Sequence, residues 1–322
     1  MSTSLLFIHA ISPLHAGTGQ SAGPIDLAIA REKATGIPYL PGSSIKGVLR
    51  DRCEARGGET TKLFGPPTDK AGDQAGALMF GDARLVFLPV RSFAGTFAWV
   101  TSPLLLGRLS RDLAETGRER RPPVEIAQTQ WCAVSPTTKL TLQQKVILEE
   151  LDLTVDAGLG AEINSWAALL APLLEPTDIK EADLQKRMCI VSDDVMSFLL
   201  QQATEVTARI RLDPETKTVV DGQLWYEEAL PAEAILASLV LALPPKATQM
   251  TGQQAIDGLG LVVEENGQSK AIQFGGKATV GRGLCRVALA RGIAPAVQAQ
   301  TPAQAAQQNQ QGKQQHKNGG RR

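Results

Sequence analysis

Short strand and helix patterns follow one another along this chain without a regular β-α-β rhythm. That irregularity constrains the fold most, because a doubly wound sheet needs strands alternating with crossover helices; it predicts an α+β architecture. Ser4–Ile11 (SLLFIHAI) alternates and is rich in β-formers, so a strand is expected there. A glycine-rich loop follows over His15–Gly23, then Pro24–Arg31 and a turn at Pro38–Ser44. Ser43 and Ser44 are placed to cap a helix running to about Arg56, with Ile45, Val48, Leu49 and Cys53 as its apolar stripe. Further strands are expected over Leu78–Phe87, Val146–Val155 and Leu284–Leu289, and helices over Ala161–Leu174 and Asp193–Gln202. Asp69–Gly76 reads as a polar loop, and Arg209–Tyr226 as a hairpin around the polar turn Asp213–Lys217.

From about Ala294 the composition changes abruptly to a Gln-rich stretch with almost no large apolar residue. Such a stretch cannot offset its ordering entropy, so 294–322 is expected to be a disordered tail behind a globular domain of residues 1–293. No apolar run approaches the roughly 18 residues that span a bilayer, and Met1–Ile11 has no basic leader, so a cytoplasmic protein without membrane contact is expected. Cys53, Cys132, Cys189 and Cys285 are scattered, as are His9, His15 and His316, which argues against a structural zinc site.

Lys+Arg and Asp+Glu both number 33. A dedicated nucleic-acid binder is usually basic, so any RNA surface here must be local. Gly17–Ala22 matches a dinucleotide fingerprint, but Gly23-Pro24 interrupts the helix that fingerprint needs. The run Gly275–Gly283 lacks the G-K-[ST] ending of a phosphate loop. Its glycines, with Lys277 and Arg282, would let the backbone approach a polyanion closely; an ordinary tight connection explains them equally well. Lys46 is expected in the first turn of its helix, where the dipole opposes a cation unless an anion binds there, and Arg50 lies one turn further on. Asp26 is a lone carboxylate just past a flexible loop: a cap, a solvated turn residue, a base or a metal ligand. The adjacent pairs Glu227-Glu228 and Asp193-Asp194 read as solubilising surface charge.

Taken in order, His15-Ala16-Gly17, Gly23-Pro24-Ile25-Asp26 and the stretch Pro38–Gly47 (PYLPGSSIKG) resemble the N-terminal signature of the RAMP superfamily of CRISPR-associated proteins. Phe80–Arg84, Leu88–Ser92, Phe97–Thr101, Leu224–Glu228 and the closing glycine run are similar to the backbone subunits of type III-B (Cmr) effectors, and the likeness extends from about Ser4 to Ala290. The resemblance implies a modified RRM-like (ferredoxin-like) core with insertions and a protruding β-hairpin thumb, with Arg209–Tyr226 the candidate. It implies several copies polymerised along a guide CRISPR RNA, other effector subunits as partners, and a complementary target RNA selected by base pairing. Only the groove facing RNA need then be basic.

The resemblance places the family's catalytic aspartate on Asp26, with the RNA 2′-OH as nucleophile and a divalent ion, Mg or Mn, on the same carboxylate. It gives His15 a role as acid or base, or in preference as a guide-phosphate contact. Ser43, Ser44, Lys46, Arg50, Gly275, Gly276, Lys277 and Arg282 would contact the guide, and Tyr226 and Glu227 would lie near the cleavage position. Two alternatives share the fold: a non-catalytic guide-binding backbone subunit, and a guide-processing nuclease.

Overall fold

The computed structural model describes residues 1–19, 23–67, 74–265 and 268–292. In chain order its first strands are β1 (Ser2–Ala10), β2 (Tyr39–Leu40), β3 (Leu78–Phe80), β4 (Ala83–Ser92), β5 (Thr96–Thr101) and β6 (Trp131–Val134). Then come β7 (Thr141–Leu142), β8 (Lys145–Leu148), β9 (Leu151–Val155), β10 (Met188–Val191), β11 (Glu205–Leu212) and β12 (Val219–Ala229). The last are β13 (Ile235–Ala242), β14 (Glu264–Glu265), β15 (Gln268–Ser269), β16 (Ile272–Gln273) and β17 (Leu284–Arg291). The helices are α1 (Gly42–Ala55), α2 (Thr60–Phe64), α3 (Pro103–Glu115), α4 (Gly160–Leu174), α5 (Glu181–Arg187), α6 (Asp193–Gln202) and α7 (Gly252–Val263).

One sheet dominates, in the order β16-β17-β1-β13-β4-β5-β10-β6-β9-β8-β7. At its centre β17, β1, β13 and β4 pair antiparallel throughout. β1 is buried on both faces, which explains why residues 5–8 are continuously apolar rather than alternating. Leu6, Ile8 and Ala10 join a core with Ile45 and Leu49 of α1 and Ile256 and Leu259 of α7. Leu5 and Phe7 face the opposite way, into a core completed by Leu106 and Leu109 of α3 and Trp166 and Leu170 of α4. The hairpin β11-β12 forms a separate two-stranded ribbon.

Several sequence expectations need correction. Leu78–Phe87 is not one strand: it breaks at Gly81-Asp82 into β3 and β4, both paired to β13. Val146–Val155 is likewise the hairpin β8-β9, turned at Glu149-Glu150, where Glu149 takes a left-handed φ of 49°. Both stretches are rich in apolar β-formers on either side of a two-residue polar interruption, which reads as a solvent-facing step in one strand. Pro38–Ser44 is not a free turn, since Tyr39–Leu40 pairs with β4 and α1 begins at Gly42. Ser43 and Ser44 therefore lie inside the helix and cap nothing; the residue at the N-cap is Pro41.

The break at Gly81-Asp82 explains the missing serine cap. It aims the Asp82 carboxylate at α1, where Oδ1 accepts a hydrogen bond from Gly42 N at 2.8 Å, satisfying one orphan donor and the helix dipole together. A side chain at position 42 would put its Cβ 2.4 Å from the Phe80 carbonyl oxygen, so only glycine lets α1 start this close to the sheet.

All four cysteines are free thiols and buried. Burial pushes the Cys285 thiol up to about 12. A hydrogen bond with Cys132, and then burial, raises Cys189 well above the ordinary thiol range. Among the described residues no helix is long and apolar enough to cross a membrane. The expected tail over 294–322, and most of the expected loop at Asp69–Gly76, lie outside the described residues.

Candidate active site

The segment after β1 leaves the sheet, passes His15 and Asp26, and returns to β2. It is stitched to the foot of the hairpin by isolated bridges, Leu14 with Leu230 and Leu27 with Glu227, and to itself by Gly17 with Ile29. Asp26 is exposed, and its Oδ2 accepts from the Tyr226 backbone N at 2.8 Å. The backbone bonds Leu27 N to Tyr226 O (3.0 Å) and Glu228 N to Leu27 O (3.0 Å) complete the junction. Asp26 and Tyr226, distant in sequence, thus meet where β12 enters the body.

Glu227 and Glu228 correct the reading of this pair as solubilising charge: both are buried. Adjacent strand residues point to opposite faces, so each finds its own partners. Glu227 accepts from Lys277 Nζ (2.8 Å) and Trp225 Nε1 (2.8 Å), and pairs with Arg209 at 3.4 Å. Burial raises its pKa, but the Lys277, Trp225 and Arg209 contacts outweigh that and hold Glu227 below the ordinary glutamate range. Glu228 accepts from Arg31 Nη2 (2.5 Å), Thr204 Oγ1 (3.1 Å) and Ile29 N (3.1 Å). Sequence reasoning missed Glu228. The available signal was its position just before Ala229-Leu230-Pro231, where β12 turns into the core.

His15 is buried, with Nδ1 2.7 Å from the Glu228 carbonyl. A carbonyl only accepts, so Nδ1 carries a proton. The ring lies against Gly17 and Gly276; a Cβ at 17 would stand 2.6 Å from Nε2. Gly276 N donates to the His15 carbonyl at 2.9 Å, and a Cβ on Gly275 (φ 73°) would fall 2.3 Å from that same oxygen. The close approach that these glycines permit is to the His15 loop.

The four cations expected to meet RNA divide unequally. Lys277 is committed to Glu227, and Arg282 to Glu205 at 3.1 Å. Arg50 Nη1 donates to the carbonyls of Gly65 (2.6 Å) and Pro66 (3.1 Å). Lys46 is the fifth residue of α1 and so lies beyond its first turn, and the anion at that N-terminus is Asp82. Among the described residues Lys46 makes no ion pair or side-chain hydrogen bond, and it points from the same helix as exposed Ser43 and half-buried Ser44.

No three His, Cys, Asp or Glu side chains converge among the described residues. Glu227, the carboxylate nearest Asp26 in the chain's pairing, is already neutralised by Lys277 and Arg209. The donors do not fit a resident metal centre. What the arrangement offers is a solvent-facing carboxylate, fixed through one oxygen by a backbone N–H, with capacity left to accept a proton. Among the described residues of the Gly17–Arg31 segment no helix starts, so those residues do not supply the helix N-terminus that a dinucleotide site needs.

The sequence model of the RAMP superfamily matches residues 7–286. The CRISPR system Cmr endoribonuclease Cmr4 of Pyrococcus furiosus is 36% identical over 295 residues, covering 90% of this chain and 96% of that protein. The CRISPR system CMR subunit Cmr4 of Saccharolobus solfataricus is 24% identical over 309 residues, covering 86% and 93%. The crystal structure of oligomeric Cmr4 from Pyrococcus furiosus superposes with a TM-score of 0.72 at 29% identity, over 90% of this chain and 99% of that one. A chain in the cryo-EM structure of the type III-B Cmr-beta complex bound to cognate target RNA shares the fold, with a TM-score of 0.65 at 19% identity over 90% and 97%.

Proposed function

This chain belongs to the RAMP superfamily, and from that premise we propose that it is the backbone subunit of a type III-B (Cmr) effector and cuts the target RNA itself. The observation that carries the catalytic half is Asp26, an exposed carboxylate held at the foot of a projecting hairpin in a chain 36% identical to an endoribonuclease over 90% of its length. Antiparallel β17-β1-β13-β4, with α1 joining β1 towards β4 and α7 joining β13 to β17 in sequence, supports a ferredoxin-like, RRM-like core. Several copies line a guide CRISPR RNA beside the other effector subunits, in the cytoplasm, and the β11-β12 thumb divides the guide–target duplex into regular steps.

RNA carries its own nucleophile. A 2′-OH placed in line with the adjacent phosphorus attacks it as the P–O5′ bond breaks, leaving a 2′,3′-cyclic phosphate and a 5′-hydroxyl. Asp26 takes the 2′-OH proton, and the leaving oxygen receives one from solvent. Most of the rate comes from alignment, which the rigid hairpin foot supplies. Buried His15 serves the loop that carries Asp26. Among the cations, Lys46 with Ser43 and Ser44 forms the guide contact, while Arg50, Lys277 and Arg282 shape the groove. The expected Mg or Mn ion would find a single carboxylate here; EDTA mimics Asp26→Asn if the carboxylate works through a bound ion and leaves cleavage intact if it does not.

Asp26→Asn preserves shape and the bond to Tyr226 N while removing the proton acceptor. Assembled complexes carrying it should bind guide and target normally and lose cleavage by ~10²–10⁴-fold. Wild-type complexes should cut RNA at evenly spaced positions and leave a DNA target, which has no 2′-OH, uncut. Normal cutting by the Asn complex moves the chemistry to another residue or subunit.

A further inference from the structure

Among the described residues, Asp26 itself makes one hydrogen bond, accepted from Tyr226 N. The rigidity must come from its surroundings, and the contacts converge on one residue. Glu228 donates its backbone N–H to Leu27 O (3.0 Å) and accepts the His15 Nδ1 proton on its carbonyl (2.7 Å). Its carboxylate takes Ile29 N on Oε2 (3.1 Å), and Arg31 Nη2 (2.5 Å) and Thr204 Oγ1 (3.1 Å) on Oε1. His15 stands at the entry of the Asp26 segment; Leu27, Ile29 and Arg31 stand at its exit; Thr204 precedes β11. One residue thus grips both ends of the segment and the start of the other hairpin strand. Arg31 extends the grip by donating to Gly36 O at 2.9 Å.

We propose that Glu228 is the positioning residue of the reaction, fixing Asp26 at the foot of the hairpin through Arg31, Ile29, Leu27 and His15 without itself touching RNA. The proposal rests on the reading of Asp26 as the proton acceptor. Glu228 is 3% exposed and its oxygens are occupied by the chain's own donors, which leaves no route to a direct contact. Three donors require an acceptor with no hydrogens of its own. A carboxylate meets that condition and an amide does not. Displacing a catalytic group by about 1 Å can cost ~10²-fold in rate, so a local loosening here is visible in chemistry before it is visible in folding.

Glu228→Gln is the test, made in the assembled ribonucleoprotein under single-turnover conditions. The glutamine oxygen can satisfy Arg31 and Thr204, but its NH2 must then oppose Ile29 N–H. The expected result is a roughly 10- to 100-fold lower cleavage rate at saturating complex, with target Kd and cut spacing unchanged. Hydrogen exchange should quicken at the Tyr226 amide, which Asp26 protects. The double variant Arg31→Met/Glu228→Gln should be no slower than the worse single one, since one unit has been broken.

A wild-type rate in Glu228→Gln beside an inert Asp26→Asn overturns the positioning role and leaves the function standing. An active Asp26→Asn sinks both. Should Glu228→Gln fail to assemble, Thr204→Val removes one neutral donor without stranding a charge, and a roughly threefold slower cut is expected. An unchanged rate there, or a fall in target affinity with the rate per bound target preserved, also overturns the proposal.

Discussion

The two ends of one hairpin contrast sharply. At its foot, Glu227, Glu228 and Ala229 are buried, and the Glu228 carboxylate accepts from Arg31 and Ile29 while Glu227 Oε1 accepts from Lys277, donors that lie outside the hairpin. Towards its tip, Ile210, Leu212, Val219 and Leu224 lie roughly half exposed, on the face opposite Thr207 and Arg209. The tip turn is self-sufficient, since Asp213 Oδ1 accepts from Glu215 N and Thr216 N at 2.9 and 2.8 Å, and those bonds hold its carboxyl below the usual range. A two-stranded ribbon is marginal alone. Its foot is held by the body, while its tip keeps an apolar face for whatever the ribbon meets. The proposed chemistry at the foot would sit on the half of the ribbon that the body holds.

The contrast can be broken most forcefully at Arg31. Arg31→Met leaves the Glu228 carboxylate buried without its cation, and a stability loss of about 3 kcal/mol is expected by denaturant titration. A loss below ~1 kcal/mol would mean that the foot is no better anchored than the tip. Glu227→Gln sharpens the comparison through pH. Because Glu227 is depressed below its ordinary value of 4.5, its contribution is present above that value and fades as pH falls through the lower folded-state value. The wild type should exceed the variant by about 1 kcal/mol at pH 7, and melting curves of the two should converge as pH falls through that lower folded-state value. The smallest effect belongs to the tip. Ile210→Thr with Leu224→Thr should leave the isolated chain within ~0.5 kcal/mol of wild type, while any defect appears only in the assembled complex.

Much of the body was legible because local signals and tertiary context agree there. Ser192 caps α6, and the sequence places that helix on Asp193–Gln202, as observed. The hairpin was visible from its polar turn. What escaped were interruptions that serve a distant element: Gly81-Asp82 looks like strand until one sees that Asp82 caps α1. Serines at a helix start look like caps, yet the capping carboxylate comes from the break between β3 and β4. At the site, nothing local links Asp26 to Tyr226; their proximity follows from the β1-to-β2 segment crossing the end of β12, and order-of-motif resemblance was the only sequence route to it. Glu228 was misread because a pair of adjacent glutamates has the same composition whether solvated or buried, and only the donors of Arg31, Thr204 and Ile29 decide between them.

The burial of all four cysteines has a practical side. A thiol reacts as its thiolate, and a buried thiol, such as Cys285 held near 12, offers almost none at neutral pH. The surface of the folded chain is therefore silent to maleimide and iodoacetamide chemistry. A cysteine placed at exposed Asp221, near the end of the ribbon, becomes the single labelled position without removal of any native thiol. A fluorophore there reports in real time when the ribbon passes from water into contact with nucleic acid or a neighbouring subunit, and the burial that keeps the core dry is what makes that signal clean.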